Sequence, residues 1–448
     1  MTSIYLCLLA LVSSFIAGRR SLVAGLVAVL GIGYIYGITR ANLTETFSHF
    51  IFDAGLIGFY LALLASPSAH AKQVNTQPLK RWVAILIAWP AFLFLLPLQD
   101  PLVQLVGLRG NTLLLPFLLI GARLESNQVY KLALWIAALN LVAFGFAGSE
   151  FMLGVERFFP YSPVTEIIYQ SQDILGYSAF RIPASFTSAH AYAGTMVMTI
   201  PLLVGAWTQK TSSQWRRYLL VSSLAASLLG VFMSGTRVHF VVMAILLIVI
   251  TLFGRLKLVP WMGWLMILSF TSLIVSSEER LQRFMTLQDT EYVMERIQGS
   301  VNKSFFELVD TYPFGNGLGG GGTSLPYFLQ NLVRDPVVME NEYARIALEQ
   351  GIPGLVLWAA FILWVFTRQS FQRPEPWYLG RRLAWCASVA YFATGLIGIG
   401  LLTSIPQTCL LFLSTGWIAV RQRNGAKCSD PAFSRFTGKS EIRVQQHG

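Results

Sequence analysis

Long apolar blocks alternate with short polar segments along the 448 residues of the chain. Most blocks approach the roughly 20 residues that an α-helix needs to cross the hydrocarbon core of a bilayer. They are apolar on every side, which is typical of helices that lie in lipid. The pattern predicts an all-α, polytopic transmembrane helix bundle of twelve or thirteen spans. The predicted spans are 3–18, 21–38, 48–66, 82–98, 104–123, 130–147, 190–207, 218–234, 237–254, 260–276, 352–367, 383–402 and 404–420.

One block departs from this pattern. Gly107, Arg109 and Gly110 interrupt the apolar stretch that ends near residue 123. Irregular backbone at membrane depth is tolerated only where protein or a polar cavity surrounds it. We therefore expect a broken or re-entrant segment here rather than a plain helix.

The composition argues against a large soluble helical protein. Hydrophobic residues make up 54% of the chain and charged residues 12%, about half of the charged fraction typical of a soluble domain. The four cysteines show neither CxxC nor Cys/His spacing, so the sequence predicts no metal site and no disulfide framework. No basic residue precedes the first apolar stretch, which we expect to be a retained helix rather than a cleaved signal.

The net charge of +11 sets topology rather than indicating a nucleic-acid partner. Lys and Arg residues are concentrated in short segments between apolar blocks, as at 72–81, 210–217 and 368–382. Cytoplasmic loops of membrane proteins carry this excess of positive charge. With the basic segments in the cytoplasm, the basic tail 421–448 lies on the same side.

Two long connections are then predicted on the outer side. The first, 148–189, is rich in aromatic residues, and the second, 277–351, has six basic and eleven acidic residues between 278 and 350. A structureless loop of this length is unusual, so we expect it to be functional and partly folded. The chain divides into 1–147 (N-terminal transmembrane helices), 148–189 (outer loop), 190–276 (central transmembrane helices), 277–351 (large outer loop), 352–420 (C-terminal transmembrane helices) and 421–448 (basic cytoplasmic tail).

Three arginine or histidine positions fall on the outer side, against the general charge distribution. Arg181 and His190 lie just before and at the start of the span from 190. Arg237 follows Ser234, Gly235 and Thr236, a turn that offers an N-cap for the next helix. A guanidinium binds phosphate in a bidentate manner and stays protonated. The alternatives are a loop arginine that pairs locally, a histidine that merely begins a helix, and an arginine that snorkels to the interface.

The segment 340–354 (Glu-Asn-Glu-Tyr-Ala-Arg-Ile-Ala-Leu-Glu-Gln-Gly-Ile-Pro-Gly) predicts a short helix that ends at Gly351, followed by a break. Arg345 is spaced to pair with Glu342 or Glu349, which favours a structural role. Glu340 has no basic neighbour at helical spacing. It is our candidate for a general base, with a solvated loop acid as the alternative.

A glycine-rich stretch lies at 313–322 within the long outer loop. Gly315, Gly317 and Gly320 satisfy a GxGxxG pattern, but no strand precedes them, so a dinucleotide site is not expected. We expect a flexible loop whose backbone, at Gly317 and Gly319, approaches a substrate.

Together, these motifs resemble the O-antigen polymerase and O-antigen ligase family of bacterial membrane glycosyltransferases. In that family an arginine precedes a central span, a Ser-x-x-Arg turn follows two helices later, and a large periplasmic loop ends in His-Asn-x9-Gly-x-x-Gly. Arg181, the turn 234–237, the loop 277–351 and the run from Asn341 to Gly354 occur here in that order. One departure is that the family's ligases have a histidine at the position of Glu340.

The resemblance implies a GT-C-like bundle in the bacterial inner membrane with its active site facing the periplasm. It also implies an undecaprenyl-diphosphate-linked saccharide donor, a glycan or lipid acceptor, and a flippase and a chain-length regulator as partners. Arg237 and Arg181 would hold the diphosphate without a metal or other cofactor, and Glu340 would take the acceptor's proton. The remaining candidate substrate contacts are Asn341, Tyr343, His190, Ser234, Gly317 and Gly319.

Three functions remain open at this point. The first is a polymerase of lipid-linked repeat units of an O-antigen or exopolysaccharide. The second is a ligase that moves a finished glycan onto lipid A core or a protein; the glutamate at 340 favours the polymerase. The third is a flippase of lipid-linked oligosaccharides, for which we would expect several charges deep within the spans and short outer loops.

Overall fold

A computed structural model describes residues 1–43, 45–65, 76–169, 180–209, 213–254, 304–322, 325–337, 339, 341–367 and 376–420, with isolated positions between 263 and 298. Most of the predicted span 260–276, the tail 421–448 and Glu340 lie outside the described residues. Within the described part, every regular element is a helix. The predicted all-α class is therefore confirmed.

Fifteen α-helices are described. They are α1 (Thr2–Arg20), α2 (Leu22–Asn42), α3 (Ile51–Leu64, preceded by a 3-10 turn at Thr46–Phe50), α4 (Gln77–Phe94), α5 (Pro101–Thr112), α6 (Pro116–Arg123), α7 (Ser126–Leu153), α8 (Glu166–Tyr169), α9 (Ala189–Trp207), α10 (Gln214–Met233), α11 (Arg237–Phe253), α12 (Ser304–Thr311), α13 (Glu342–Thr367), α14 (Tyr378–Thr394) and α15 (Gln407–Ala419).

Eight of the described helical segments are long and apolar enough to cross a membrane, as expected of a multi-pass protein. They are α1, α2, the 3-10 turn with α3, α5 with α6, α7, α9, α10 and α13. Two shorter apolar helices, α11 and α15, match two further predicted spans. The predicted span 383–402 is displaced, because α14 ends at Thr394 and three glycines follow before residue 401.

The apolar stretch is interrupted after the predicted residues rather than at them, because Gly107, Arg109 and Gly110 lie within α5 and the turn follows at 113–115. Helix α5 ends at Thr112, and α6 begins at Pro116 after a short turn. Proline at the first helical position starts a helix without sacrificing an internal hydrogen bond. Arg109, which is largely buried, pairs with the carboxylate of Asp53 on α3, with 2.6 Å between Nε and Oδ2. This partner allows the charge to be accommodated within the helix bundle.

Helix α9 is the centre of the bundle, and nearly all of its residues are buried. It packs against α7, α10, α11, α14 and α15. A buried polar network crosses this core: Tyr34 donates to Asn140 Oδ1 at 2.6 Å, and Asn140 Nδ2 donates to Thr199 and Ser227 at 2.8 and 2.9 Å. The network joins α2, α7, α9 and α10, so it fixes their relative positions.

Helices α6 and α15 approach so closely that their backbones are in contact at two glycines. A Cβ atom on Gly121 would overlap the carbonyl oxygen of Leu413, and a Cβ atom on Gly416 would overlap that of Leu118. Small residues permit this approach between membrane helices, where packing replaces the hydrophobic effect.

We expect Gly416→Ala to lower the thermal denaturation temperature of the detergent-purified protein, since the added Cβ must push α6 and α15 apart. Gly145→Ala on α7 is the matched control, because nothing lies within 4 Å of its added Cβ. Alanine is also the better helix former. Equal denaturation temperatures for the two variants would contradict the close packing of α6 against α15.

Candidate functional site

Helix α13 contains the break that the sequence predicts. Gly351 has φ 70° and ψ −176°, a combination that essentially only glycine adopts. Asn341 directly precedes α13, and its side-chain Oδ1 accepts a 2.6 Å hydrogen bond from the backbone N–H of Ala344. Asn341 is thus buried as an N-cap of the first half of α13.

Arg345, on that first half, is completely buried between two carboxylates. Its Nη2 lies 2.7 Å from Glu342 Oε1, and its Nη1 lies 2.7 Å from Glu349 Oε2. The sequence predicts a pairing with either glutamate, and the structure contains both. The structural role of Arg345 follows, since its single guanidinium is shared between carboxylates one turn before and one turn after it.

Further hydrogen bonds connect this ion-pair cluster to two other parts of the fold. Asn111 on α5 donates to Glu349 at 2.8 Å and accepts from Arg345 at 3.2 Å and from Gln350 at 2.9 Å. Glu342 Oε2 accepts hydrogen bonds from the backbone N–H groups of Gly400 and Leu401, at 2.7 and 3.1 Å. The cluster therefore ties α13 both to the broken segment α5 and to the connection between α14 and α15.

The glycine-rich stretch packs between α5 and the break in α13. Gly317 and Gly319 have φ of 94° and 79°. A Cβ on Gly319 would lie 2.6 Å from the carbonyl oxygen of Val103. Asn316 N–H donates to Leu348 O at 2.6 Å, and Ile352 N–H donates to Pro313 O at 2.9 Å. The close backbone approach expected of these glycines is thus made to other parts of the same chain, and substrate contact by Gly317 and Gly319 stays a prediction.

The predicted turn before α11 is present, but its N-cap residue, Thr236, makes no capping hydrogen bond with its side chain. Gly235 has φ 64°, and Arg237 is the first residue of the helix and is half-buried. Ser234 is buried, and its hydroxyl donates to Val231 O at 2.6 Å and lies 2.9 Å from the hydroxyl of Thr236. Ser234 therefore stabilises the turn that positions Arg237.

Two histidines and a tyrosine connect the start of α9 with the end of α14. His190, which is exposed in the first turn of α9, has its ring 5.8 Å from that of His239 on α11. The His239 ring lies 5.7 Å from that of Tyr391 on α14. One residue further along α14, the carbonyl of Phe392 accepts a 2.7 Å hydrogen bond from the Tyr343 hydroxyl. We call this end of the bundle, where α9, α11, α13 and α15 begin and α14 ends, the Arg237 end.

The structure thus brings five of the predicted site residues to the Arg237 end. These are His190, Ser234, Arg237, Asn341 and Tyr343, which come from three separate stretches of sequence. Glu340 directly precedes Asn341 in the chain and lies outside the described residues.

Arg181 belongs to the segment that leads into α9, and it is half-buried. That segment is anchored on two other helices. The N–H of Ala184 donates to Glu150 Oε2 on α7 at 2.9 Å, and the carbonyl of Ser185 accepts from Ile38 on α2 at 3.1 Å. These two hydrogen bonds fix the position of the segment that carries Arg181.

Sequence reasoning missed several polar residues around this site. Asn111 is one, and His239, Tyr391 and Gln407 are the others. A signal did exist for each of them, because a polar side chain within an apolar span usually has a partner or a function. No protein-family model and no curated protein matches the chain.

Proposed function

We propose that the chain is a polysaccharide polymerase that joins undecaprenyl-diphosphate-linked repeat units at the periplasmic face of the bacterial inner membrane. The observation that carries the proposal is the convergence of Arg237, His190, Asn341 and Tyr343 at the Arg237 end. A cationic group and several polar groups that are far apart in sequence lie there, at one end of an apolar bundle. This arrangement suits a substrate with an anionic diphosphate and a sugar on a lipid tail.

The reaction that fits is a displacement at the anomeric carbon. An acceptor hydroxyl oxygen forms a bond to that carbon, and the carbon–oxygen bond to the diphosphate breaks. The electron pair departs with undecaprenyl diphosphate, and the hydroxyl proton passes to the carboxylate of Glu340. Arg237 and Arg181 stabilise the charge that develops on the leaving diphosphate, a contribution that is often the largest in catalysis.

The proposed roles of the other residues follow from their positions. Asn341 caps α13 directly after Glu340, and Tyr343 attaches the same turn to α14. The hydrogen bonds that Asn111 makes with Arg345 and Glu349 then hold this part of α13 against α5. These contacts fix the first turn of α13, which follows Glu340 in the chain.

The lipid-linked saccharides of cells that lack the chain test this proposal against the two alternatives. We expect single repeat units on undecaprenyl diphosphate, accessible on the periplasmic leaflet, and no polymer. Accumulated polymer on undecaprenyl diphosphate would instead indicate a ligase, and repeat units confined to the cytoplasmic leaflet would indicate a flippase. Either of these results contradicts the polymerase.

A further inference from the structure

Three buried polar side chains at the Arg237 end have atoms without a hydrogen-bond partner in the described part of the chain. The atoms are His239 Nδ1, the Tyr391 hydroxyl and Gln407 Oε1. These residues are 6%, 2% and 5% exposed, respectively, and they belong to α11, α14 and α15. A buried polar group without a partner costs on the order of 1–3 kcal/mol. Three such atoms in one region point to a ligand that supplies the missing partners.

The three side chains are neighbours. The His239 and Tyr391 rings are 5.7 Å apart. Gly194 on α9 brings Tyr391 and Gln407 together, because a Cβ on this glycine would lie 2.6 Å from the Tyr391 hydroxyl and would overlap Gln407 Oε1. His239 also shares the first turn of α11 with Arg237 and contacts the exposed His190 ring. The cluster thus begins near the surface of the Arg237 end and continues into the bundle.

The chemistry of these atoms distinguishes among the parts of a lipid-linked saccharide. The amide oxygen of Gln407 can only accept a hydrogen bond, the phenol both donates and accepts, and an imidazole nitrogen does one or the other. A diphosphate offers acceptors alone, and an isoprenoid tail offers neither. Sugar hydroxyl groups donate and accept, so they match all three atoms.

We propose that His239, Tyr391 and Gln407 form a saccharide subsite that binds hydroxyl groups of the sugar attached to the diphosphate. This inference rests on the proposed function and adds the element that separates a glycosylated lipid from the bare lipid diphosphate. Arg237 contributes affinity for both lipids, whereas the subsite contributes affinity only for the glycosylated one.

The test uses full-length protein in detergent micelles and two probes. One probe is the lipid-linked saccharide extracted from cells that lack the chain, and the other is undecaprenyl diphosphate. We expect Tyr391→Phe to weaken binding of the saccharide probe about tenfold, as the loss of a buried hydrogen bond predicts, and to leave binding of the bare lipid unchanged. Gln407→Met should have the same selective effect.

Two tyrosines provide matched controls. The Tyr192 hydroxyl on α9 is also buried without a partner, but it lies against Gly230 on α10, so Tyr192→Phe should leave both affinities unchanged. Tyr34→Phe removes a satisfied hydrogen bond to Asn140 and should lower the denaturation temperature while the affinities remain. Tyr391→Phe should not lower that temperature, because its hydroxyl has no partner to lose.

Equal affinity of Tyr391→Phe and the unaltered protein for the saccharide probe would overturn the subsite, as would a parallel loss for both lipids. Failure of the proposed function appears differently. In that case Arg237→Ala would bind undecaprenyl diphosphate as tightly as the unaltered protein does, whatever the result at Tyr391.

Discussion

Replacement of Arg345 by methionine is expected to destabilise the protein by about 3–5 kcal/mol, the usual cost of removing one partner from a buried ion pair. Arg345 has no exposed surface and is bonded to Glu342 and Glu349 at 2.7 Å each. Without it, two carboxylates would remain near each other inside the fold. The measurement is the denaturation temperature of the detergent-purified protein, followed by size-exclusion chromatography.

A triple variant separates the charge effect from a simple loss of packing. In Glu342→Gln/Arg345→Met/Glu349→Gln all three charges are absent, so no uncompensated charge remains, and we expect a smaller loss than for Arg345→Met alone. If Arg345→Met melted at the temperature of the unaltered protein, the cluster would not be what anchors α13 to α5.

Replacement of Arg237 by alanine is expected to reduce polymer formation about 100- to 1,000-fold, the range found when one stabilising donor is removed from a reaction centre. Arg237→Lys should recover only part of the activity, because an ammonium group keeps the charge but not the bidentate geometry. The measurement is the length distribution and amount of polysaccharide in cells that express each variant at equal levels.

The control for this experiment is Arg216→Ala. Arg216 is exposed in the first turn of α10, at the opposite end of that helix from Ser234. Both variants lose one positive charge from the membrane domain, but only Arg237 lies at the proposed site. Full-length polysaccharide from Arg237→Ala would exclude this residue as a phosphate clamp.

Much of the fold is predictable from the sequence because membrane helices are specified locally. A block of about 20 apolar residues has few other structures available to it, and helices such as α2, α9 and α11 begin within a residue of their predicted positions. The end of α14 was less predictable, since the apolar run continues to residue 402 while glycines stop the helix at Thr394.

The site is predictable only where its contacts are local. The spacing along one helix predicts the pairing of Arg345 with Glu342 and Glu349. The glycine at position 351 likewise predicts the break in α13. The bond from Asn111 to Glu349 joins residues 238 positions apart, and no periodicity in the sequence indicates it. The grouping of His239, Tyr391 and Gln407 likewise depends on how three helices pack around α9.

Reconstitution of the purified chain in liposomes with a lipid-linked saccharide tests the central claim most directly. No other protein and no second acceptor is added. The account predicts a ladder of products that grow by one repeat unit at a time on undecaprenyl diphosphate, with free undecaprenyl diphosphate released at each step. Transfer that begins only when lipid A core or an acceptor protein is added, or movement of the lipid across the bilayer without a new glycosidic bond, would contradict it.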